Sequence, residues 1–254
     1  MHSHWSSLFI ALGIGLLIVL LPGTLQAQMT RRAGGGDMIR PSGLQPVFPD
    51  AAACPEIASP FGSHTRYDGS SRPGFQFGGY HGGIDVSLAE GTTLLALAAG
   101  TVAAKGEGGQ LEGIYLWLRH SPQDTGLTYW VFSKYQHLES HSELALGAKV
   151  VAGQVIARSG KTGTVGGHYR SAGYPHLHLT TRKNPNGEYQ IMDSGQLAAE
   201  APLFDPLVIY HEAGLKSAGA PRREKTVAIP YATPDGQLWP KGTRVVWPVA
   251  CRPR

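Results

Sequence analysis

The chain has 254 residues and is 42% hydrophobic, enough to bury a core, which excludes disorder as a description of the whole. Lys and Arg number 22 against 18 for Asp and Glu, a formal net charge of +4 with the positive residues scattered along the chain. That balance suits weak attraction to an anionic polymer, and it lacks the basic stripe or stacking aromatics that would point to nucleic acid.

Leu8 to Leu21 is an apolar run with only Ala and Gly as its small residues, followed by Pro22-Gly23 and then Thr24-Leu25-Gln26-Ala27-Gln28. We read residues 1–27 as a signal peptide, with His2 and His4 in place of the usual basic residues and Leu25 large for a cleavage site. The alternative is an uncleaved membrane anchor, although the run is shorter than the ~20 residues a span needs. Either way the remainder is exported, and a periplasmic or extracellular location is expected. Residues 28–50 are rich in Gly, Arg, Pro and Gln without an apolar period, which predicts a flexible linker.

Cys54 and Cys251 are the two cysteines of the chain. In an exported protein a disulfide between them is expected. Two free thiols or two zinc ligands are the alternative, but neither Cys has another Cys or a His at ligand spacing.

From residue 51 to 211 the chain shows short apolar or alternating runs separated by Gly and Asn turns and no clear 3.6-residue stripe, so an all-β domain is predicted. Candidate strands are Thr92 to Ala98, Ile114 to Arg119, Thr128 to Phe132 running on toward His137, Val155 to Arg158, and Leu177 to Thr181. In Ile114 to Arg119, Tyr115, Trp117 and Arg119 share one face while Ile114, Leu116 and Leu118 share the other, the pattern of a strand covered on both sides. Residues 212–254 carry Pro221, Pro230, Pro234, Pro240, Pro248 and Pro253, which exclude a long helix there. An extended segment packed on the domain is expected, with one short strand at Arg244-Val245-Val246-Trp247.

Three histidine groups carry chemistry: His81-Gly82-Gly83-Ile84-Asp85, Tyr135-Gln136-His137-Leu138, and Pro175-His176-Leu177-His178-Leu179. His176 and His178, two apart on a strand, project from one face while Leu177 and Leu179 enter the core. His81 and Asp85, four apart, return to one face of an extended chain, and imidazole with carboxylate is a donor mixture that zinc accepts. Two His and one carboxylate leave a fourth position for water, as in a catalytic zinc site. The surplus imidazoles, His137 and one of the His176/His178 pair, are then free to move protons.

The three groups in this order, among Gly-rich β segments, resemble the lysostaphin/LytM-type zinc endopeptidases of peptidoglycan. Ser59-Pro60-Phe61-Gly62 is similar to the family's opening segment, and Gly153 to Gly163, with Ser159-Gly160-Lys161-Thr162-Gly163 at its end, to its Gly-rich hairpin; the likeness covers roughly Pro55 to Lys183. The resemblance implies antiparallel sheets forming a groove with a catalytic Zn2+ on its floor. It implies His81, Asp85 and His178 as metal ligands, and His176 and His137 as catalytic groups. The implied partner is peptidoglycan, cut at cross-links or stem peptides by a protein expected to be a monomer. The chain departs from the pattern at three places. Thr180 stands where an acidic residue commonly follows the last His, His64 stands where an Arg often follows Phe-Gly, and the segment from Thr164 to Tyr174, with His168, Tyr169 and Arg170, is longer than usual. A non-catalytic peptidoglycan-binding module or activator of another wall hydrolase is the competing reading, but it has no need of an open metal position with spare imidazoles. A purely structural zinc site normally closes with four protein ligands, often Cys.

Overall fold

The computed structural model describes residues 39–75, 77–109, 111–164, 174–192, 201–218 and 225–254. The expected signal peptide, the linker up to residue 38, and His168, Tyr169 and Arg170 lie outside them. In chain order the strands begin with β1 Gln45–Val47, β2 Ala52–Ala53, β3 Ile57–Ser59, β4 Ile84–Ser87, β5 Thr93–Leu95 and β6 Gly100–Glu107. They continue with β7 Ile114–His120, β8 Trp130–Gln136, β9 Lys149–Val150, β10 Val155–Arg158 and β11 His176–Asn184. The last are β12 Leu203–Phe204, β13 Thr226–Ala228, β14 Tyr231–Ala232, β15 Leu238–Trp239 and β16 Arg252–Pro253, with helices α1 Pro122–Thr125 and α2 Leu207–Ala218. The all-β expectation holds.

The organising element is an 8-stranded antiparallel sheet in the order β3-β4-β11-β8-β7-β6-β9, with β12 paired to β11. Its register decides which side chains share a face, because directly opposed residues of an antiparallel pair point the same way. Leu179 of β11 opposes Tyr135 of β8, which opposes Leu116 of β7, and all three are fully buried in the main core. On the other face His178 opposes Gln136, Thr180 opposes Lys134, and Lys134 opposes Trp117. A smaller cluster of Tyr115, Trp117, Phe132 and Ala201 covers part of that face, so β7 is packed on both sides as its alternation predicts.

Three segments differ from the sequence expectation. Gln45–Val47, placed in the linker, pairs in parallel with β13, and neighbouring Phe48 sets its ring edge-on to Trp247 at 5.3 Å. Burial of an aromatic pair outweighs the lack of any local apolar period there. Residues 244–247 form no strand; Val245, Val246 and Trp247 are buried, and isolated bridges join Val245 to Ala98 and Val249 to Leu94. Pro248, which has no N–H, sits between the two bridges, so a continuous ladder cannot form. Helix α2 was not foreseen, although its start is built from sequence-legible parts. Asp205 Oδ1 accepts from Leu207 N at 3.0 Å in an N-cap arrangement, and Pro206 follows with φ suited to a first helical position.

The C-terminal segment is anchored to the domain. Cys54 is disulfide-bonded to Cys251 across a separation of 197 residues, β16 pairs with β2, and Trp247 Nε1 donates to Pro55 O at 2.9 Å. Deep in the sheet His120 is fully buried, bonded through Nδ1 to Ala99 O at 2.7 Å and through Nε2 to Ser133 Oγ at 2.8 Å. Burial pushes its pKa down from 6.5 to about 4, against smaller opposing effects of the Ala99 carbonyl and Asp124. The folded state therefore holds a neutral ring. Its contribution is fully present above pH 6.5 and is lost as the pH falls toward about 4, where protonation costs on the order of 3 kcal/mol. The unfolding free energy of the wild type should exceed that of His120→Gln by an amount that shrinks by about this much between about pH 7 and pH 4. A pH-independent gap in denaturant titrations would contradict this account.

Candidate metal centre and active site

The outward face of β4, β11 and β8 gathers the histidine groups. Asp85 on β4 lies opposite His178 on β11, and His178 lies opposite Gln136 at the end of β8. His81 precedes β4 and is held by backbone bonds, its N–H donating to Ser63 O at 3.0 Å and its carbonyl accepting from Gly62 N at 2.8 Å. His137 leaves β8 with φ of 62°, a left-handed conformation uncommon for a side-chain-bearing residue, which turns its ring back over the face. Gly83 is needed for the close approach of β4 and β11: a Cβ there would lie 2.4 Å from Leu179 O and 2.8 Å from His178 Nε2.

Three donor atoms converge. His81 Nε2 is 3.0 Å from His178 Nδ1 and 3.1 Å from Asp85 Oδ1, and His178 Nδ1 is 2.8 Å from Asp85 Oδ1. The outer atoms of each ring explain which nitrogen faces inward. His81 Nδ1 lies 3.0 Å from Pro60 O, which can only accept, so Nδ1 carries the proton and Nε2 presents a lone pair. His178 Nε2 meets Thr180 Oγ1 at 3.0 Å; with that hydroxyl as acceptor, Nδ1 likewise turns a lone pair inward. Three electron-rich atoms about 3 Å apart in a buried site repel unless a proton or a cation lies among them. Tetrahedral ligands about 2.0 Å from a metal stand about 3.3 Å apart, so the donor set fits a metal ion with little adjustment.

The carboxylate is braced on its far side. Arg72 Nη2 pairs with Asp85 Oδ2 at 3.2 Å and donates to Ser59 Oγ at 2.9 Å. Burial alone would raise the Asp85 pKa, but when His81 and His178 carry protons on their inward nitrogens, the charge of His81 and hydrogen bonds from both rings outweigh it and hold the carboxyl well below its usual range. Burial lowers the pKa of His178 to about 4, against the opposing pull of Asp85.

Two more imidazoles stand beside this group. The His137 ring centroid is 4.5 Å from that of His176 and 6.0 Å from that of His178. His137 Nδ1 bonds to Thr162 O at 2.7 Å and His176 Nδ1 to Tyr174 O at 2.9 Å; both partners are carbonyls, so each ring keeps an unprotonated Nε2. His176 Nε2 is 3.7 Å from Asp85 Oδ1, beyond the spacing of the three converging atoms. Burial is the largest influence on both rings and lowers both pKa values, that of His137 strongly. Both are therefore neutral, proton-accepting groups near pH 7.

The surrounding cleft has walls that the histidine motifs do not announce. Tyr174 stacks on His176 with centroids 4.7 Å apart, and Tyr67 stacks on Tyr174 at 3.5 Å. Lys134, paired with Glu112, lies along the floor beyond Thr180. At the first departure from the family pattern the Thr180 hydroxyl occupies the place beside His178 Nε2; at the second, His64 packs on Tyr80 at 4.1 Å and Arg72, from further along the same loop, reaches the carboxylate. Arg72 had no signal in the sequence, lying 13 residues before Asp85 in a Ser- and Gly-rich stretch.

Residues 79–190 match the family model described as Peptidase family M23. That segment of the chain is similar to M23 peptidases. A curated protein of Haemophilus influenzae named as an uncharacterized metalloprotease is 36% identical over 124 residues, which is 48% of this chain and 22% of that protein. This chain thus spans 22% of the length of that relative. Among solved structures, LytU is 26% identical with a TM-score of 0.42, covering 65% of this chain and 90% of that one. The catalytic domain of lysostaphin from Staphylococcus simulans is 24% identical with a TM-score of 0.39, covering 60% of this chain and 87% of that one.

The brace on Asp85 generates a test. Arg72→Met removes the charge from Oδ2 while keeping much of the side-chain bulk, and outer partners of metal ligands typically set about 10- to 100-fold of affinity. Competition between the protein and a chelating dye for zinc should show a loss of that size. Wild-type affinity in the variant would show that Arg72 does not support the donor set.

Proposed function

We propose that the protein is a zinc-dependent endopeptidase that hydrolyses peptide bonds in the cross-links or stem peptides of bacterial peptidoglycan. In this reading His81, Asp85 and His178 hold the metal, and His137 and His176 are the catalytic bases. The observation that carries it is the pairing of an inward-facing His/Asp/His donor set with two neutral imidazoles whose free nitrogens border the same cleft. A mixed nitrogen and oxygen set of three ligands suits zinc with one position left open. Zinc bound there supplies Lewis-acid polarisation of a carbonyl and a water of lowered pKa.

The chain's own groups supply the remaining chemistry. Hydrolysis adds water oxygen to the carbonyl carbon, breaks the C–N bond and delivers a proton to the departing amine. Nε2 of His137 or His176 accepts the proton from the attacking water, because burial keeps these rings neutral and carbonyl bonds keep Nδ1 protonated. The resulting imidazolium, beside the Asp85 carboxylate, returns the proton to the amine nitrogen. The Tyr67–Tyr174 stack forms one wall against which an extended peptide can lie.

Peptidoglycan as substrate rests on the similarity of residues 79–190 to Peptidase family M23 together with the reading of residues 1–27 as an export signal, and the Cys54–Cys251 disulfide suits an oxidising periplasmic or extracellular location. The purified protein should bind about one zinc and release soluble fragments from purified peptidoglycan, with release stopping on chelation. His81→Ala and Asp85→Ala should lose both zinc and turnover. His137→Ala and His176→Ala should keep zinc and lose about 100- to 10,000-fold in rate. Turnover that survives in metal-free His81→Ala protein would remove the metal from the mechanism. A zinc-loaded protein that leaves several wall types intact would favour a binding module instead.

A further inference from the structure

We infer that Thr162 is the positioning residue for His137, locking its tautomer and its left-handed backbone through one three-way clamp. The Thr162 carbonyl accepts from His137 Nδ1 at 2.7 Å. The hydroxyl of the same residue donates to Leu138 O at 2.8 Å and accepts from Ile114 N at 3.0 Å. A single residue thus ties the start of β7, the peptide that follows β8, and the imidazole between them.

The clamp itself has little room to move. Gly163 and Gly113 lie back to back with φ of 65° and 61°, and a Cβ on Gly163 would stand 2.1 Å from Gly113 N. A Cβ on Gly113 would stand 2.1 Å from Thr162 O, the atom that holds His137. Leu111 N donates to Gly163 O at 3.1 Å, with Leu111 in a left-handed conformation at φ of 81°. On the other side Glu139 N donates to Arg158 O at 3.1 Å. These contacts press the 159–164 segment against the β7 and β8 ends, and Thr162 is where that pressure reaches the site. Fixing Nδ1–H leaves Nε2 as the only acceptor His137 can offer to the cleft, and fixing φ at 62° aims it. Reacting groups displaced by about 1 Å lose on the order of 100-fold in rate, so the clamp acts on the chemical step rather than on binding.

This inference rests on the peptidase reading for its kinetic arm and not for its structural one. Thr162→Val keeps the shape but removes both hydroxyl bonds that hold the carbonyl against His137 Nδ1, so the carbonyl is free to shift away; Thr162→Ser restores them. With zinc-loaded protein and soluble cross-linked muropeptides, Thr162→Val should lower kcat by about 10- to 100-fold. KM should stay within about twofold of wild type, zinc content should be unchanged, and Thr162→Ser should recover most of kcat. In nitrogen-15 NMR of the zinc-loaded protein, His137 should be fixed as the Nδ1–H tautomer in wild type and Thr162→Ser and become mixed in Thr162→Val. An unchanged kcat in Thr162→Val, or an unchanged tautomer signal, overturns the inference. If the wild type cleaves nothing, the peptidase reading falls, and the tautomer signal alone decides the positioning role.

Discussion

Three donor atoms converging on one point are the constraint on which the rest of the site depends. His81 Nε2, His178 Nδ1 and Asp85 Oδ1 lie 2.8 to 3.1 Å apart in a buried setting. Such a cluster is unfavourable without a central cation or proton, because low local dielectric strengthens repulsion as well as attraction. The fold keeps it together through partners on the outer side of each group: Pro60 O for His81, Thr180 Oγ1 for His178, and Arg72 with Ser59 for Asp85. Each partner removes one alternative way for its ring or carboxylate to be satisfied. The inward orientation is what remains.

The sheet supplies the second condition, which is precise register. A shift of one residue between β4 and β11 would move His178 to the core face and Leu177 or Leu179 to the cleft. The apolar residues prevent that slip, since Leu177, Leu179, Ile84 and Val86 are all fully buried on the opposite side of the same strands. Burial of a leucine or isoleucine side chain contributes about 1.5–3 kcal/mol, so a slipped register would lose several such contributions at once. Core packing and the gathering of the His/Asp/His donor set are therefore two faces of one alignment. The disulfide and the burial of Trp247 hold the C-terminal segment against the domain, away from the residues that line the cleft.

Much of this alignment is legible in the sequence. The alternation in Ile114 to Arg119 and in His176 to Thr180 predicts which residues face the core, and the structure agrees because both strands are central and long. Short edge elements are harder. Gln45–Val47 pairs with a segment about 180 residues away, and no local pattern announces a partner so distant. Helix α2 carries buried Leu207, Ile209 and Tyr210 in a segment whose apolar residues follow no clean stripe, which hides it from a period search although Asp205-Pro206 marks its start. At the site, His81 with Asp85 and His176 with His178 pair by spacing and His137 enters through the family resemblance, whereas Arg72, Tyr67 and Thr162 act through loops whose close approach is a tertiary property.

Spacing on β11 leaves open which of His176 and His178 belongs to the metal, because both project from one face. The two rings differ in the nitrogen each has available. His178 commits Nε2 to Thr180 and turns Nδ1 toward Asp85, whereas His176 commits Nδ1 to its near neighbour Tyr174 and keeps Nε2. Nδ1 lies close to the backbone, so a ring that uses it reaches an atom sitting low over the sheet, level with the carboxylate of the paired strand. Nε2 lies at the far tip of the ring and suits a group placed above that plane, where a substrate peptide would pass. His137 follows the same rule as His176, with Nδ1 committed to a carbonyl and Nε2 free. On β11, then, the second hydrogen bond of each ring distinguishes His178, which turns Nδ1 toward Asp85, from His176, which keeps Nε2, in keeping with the roles proposed for the two.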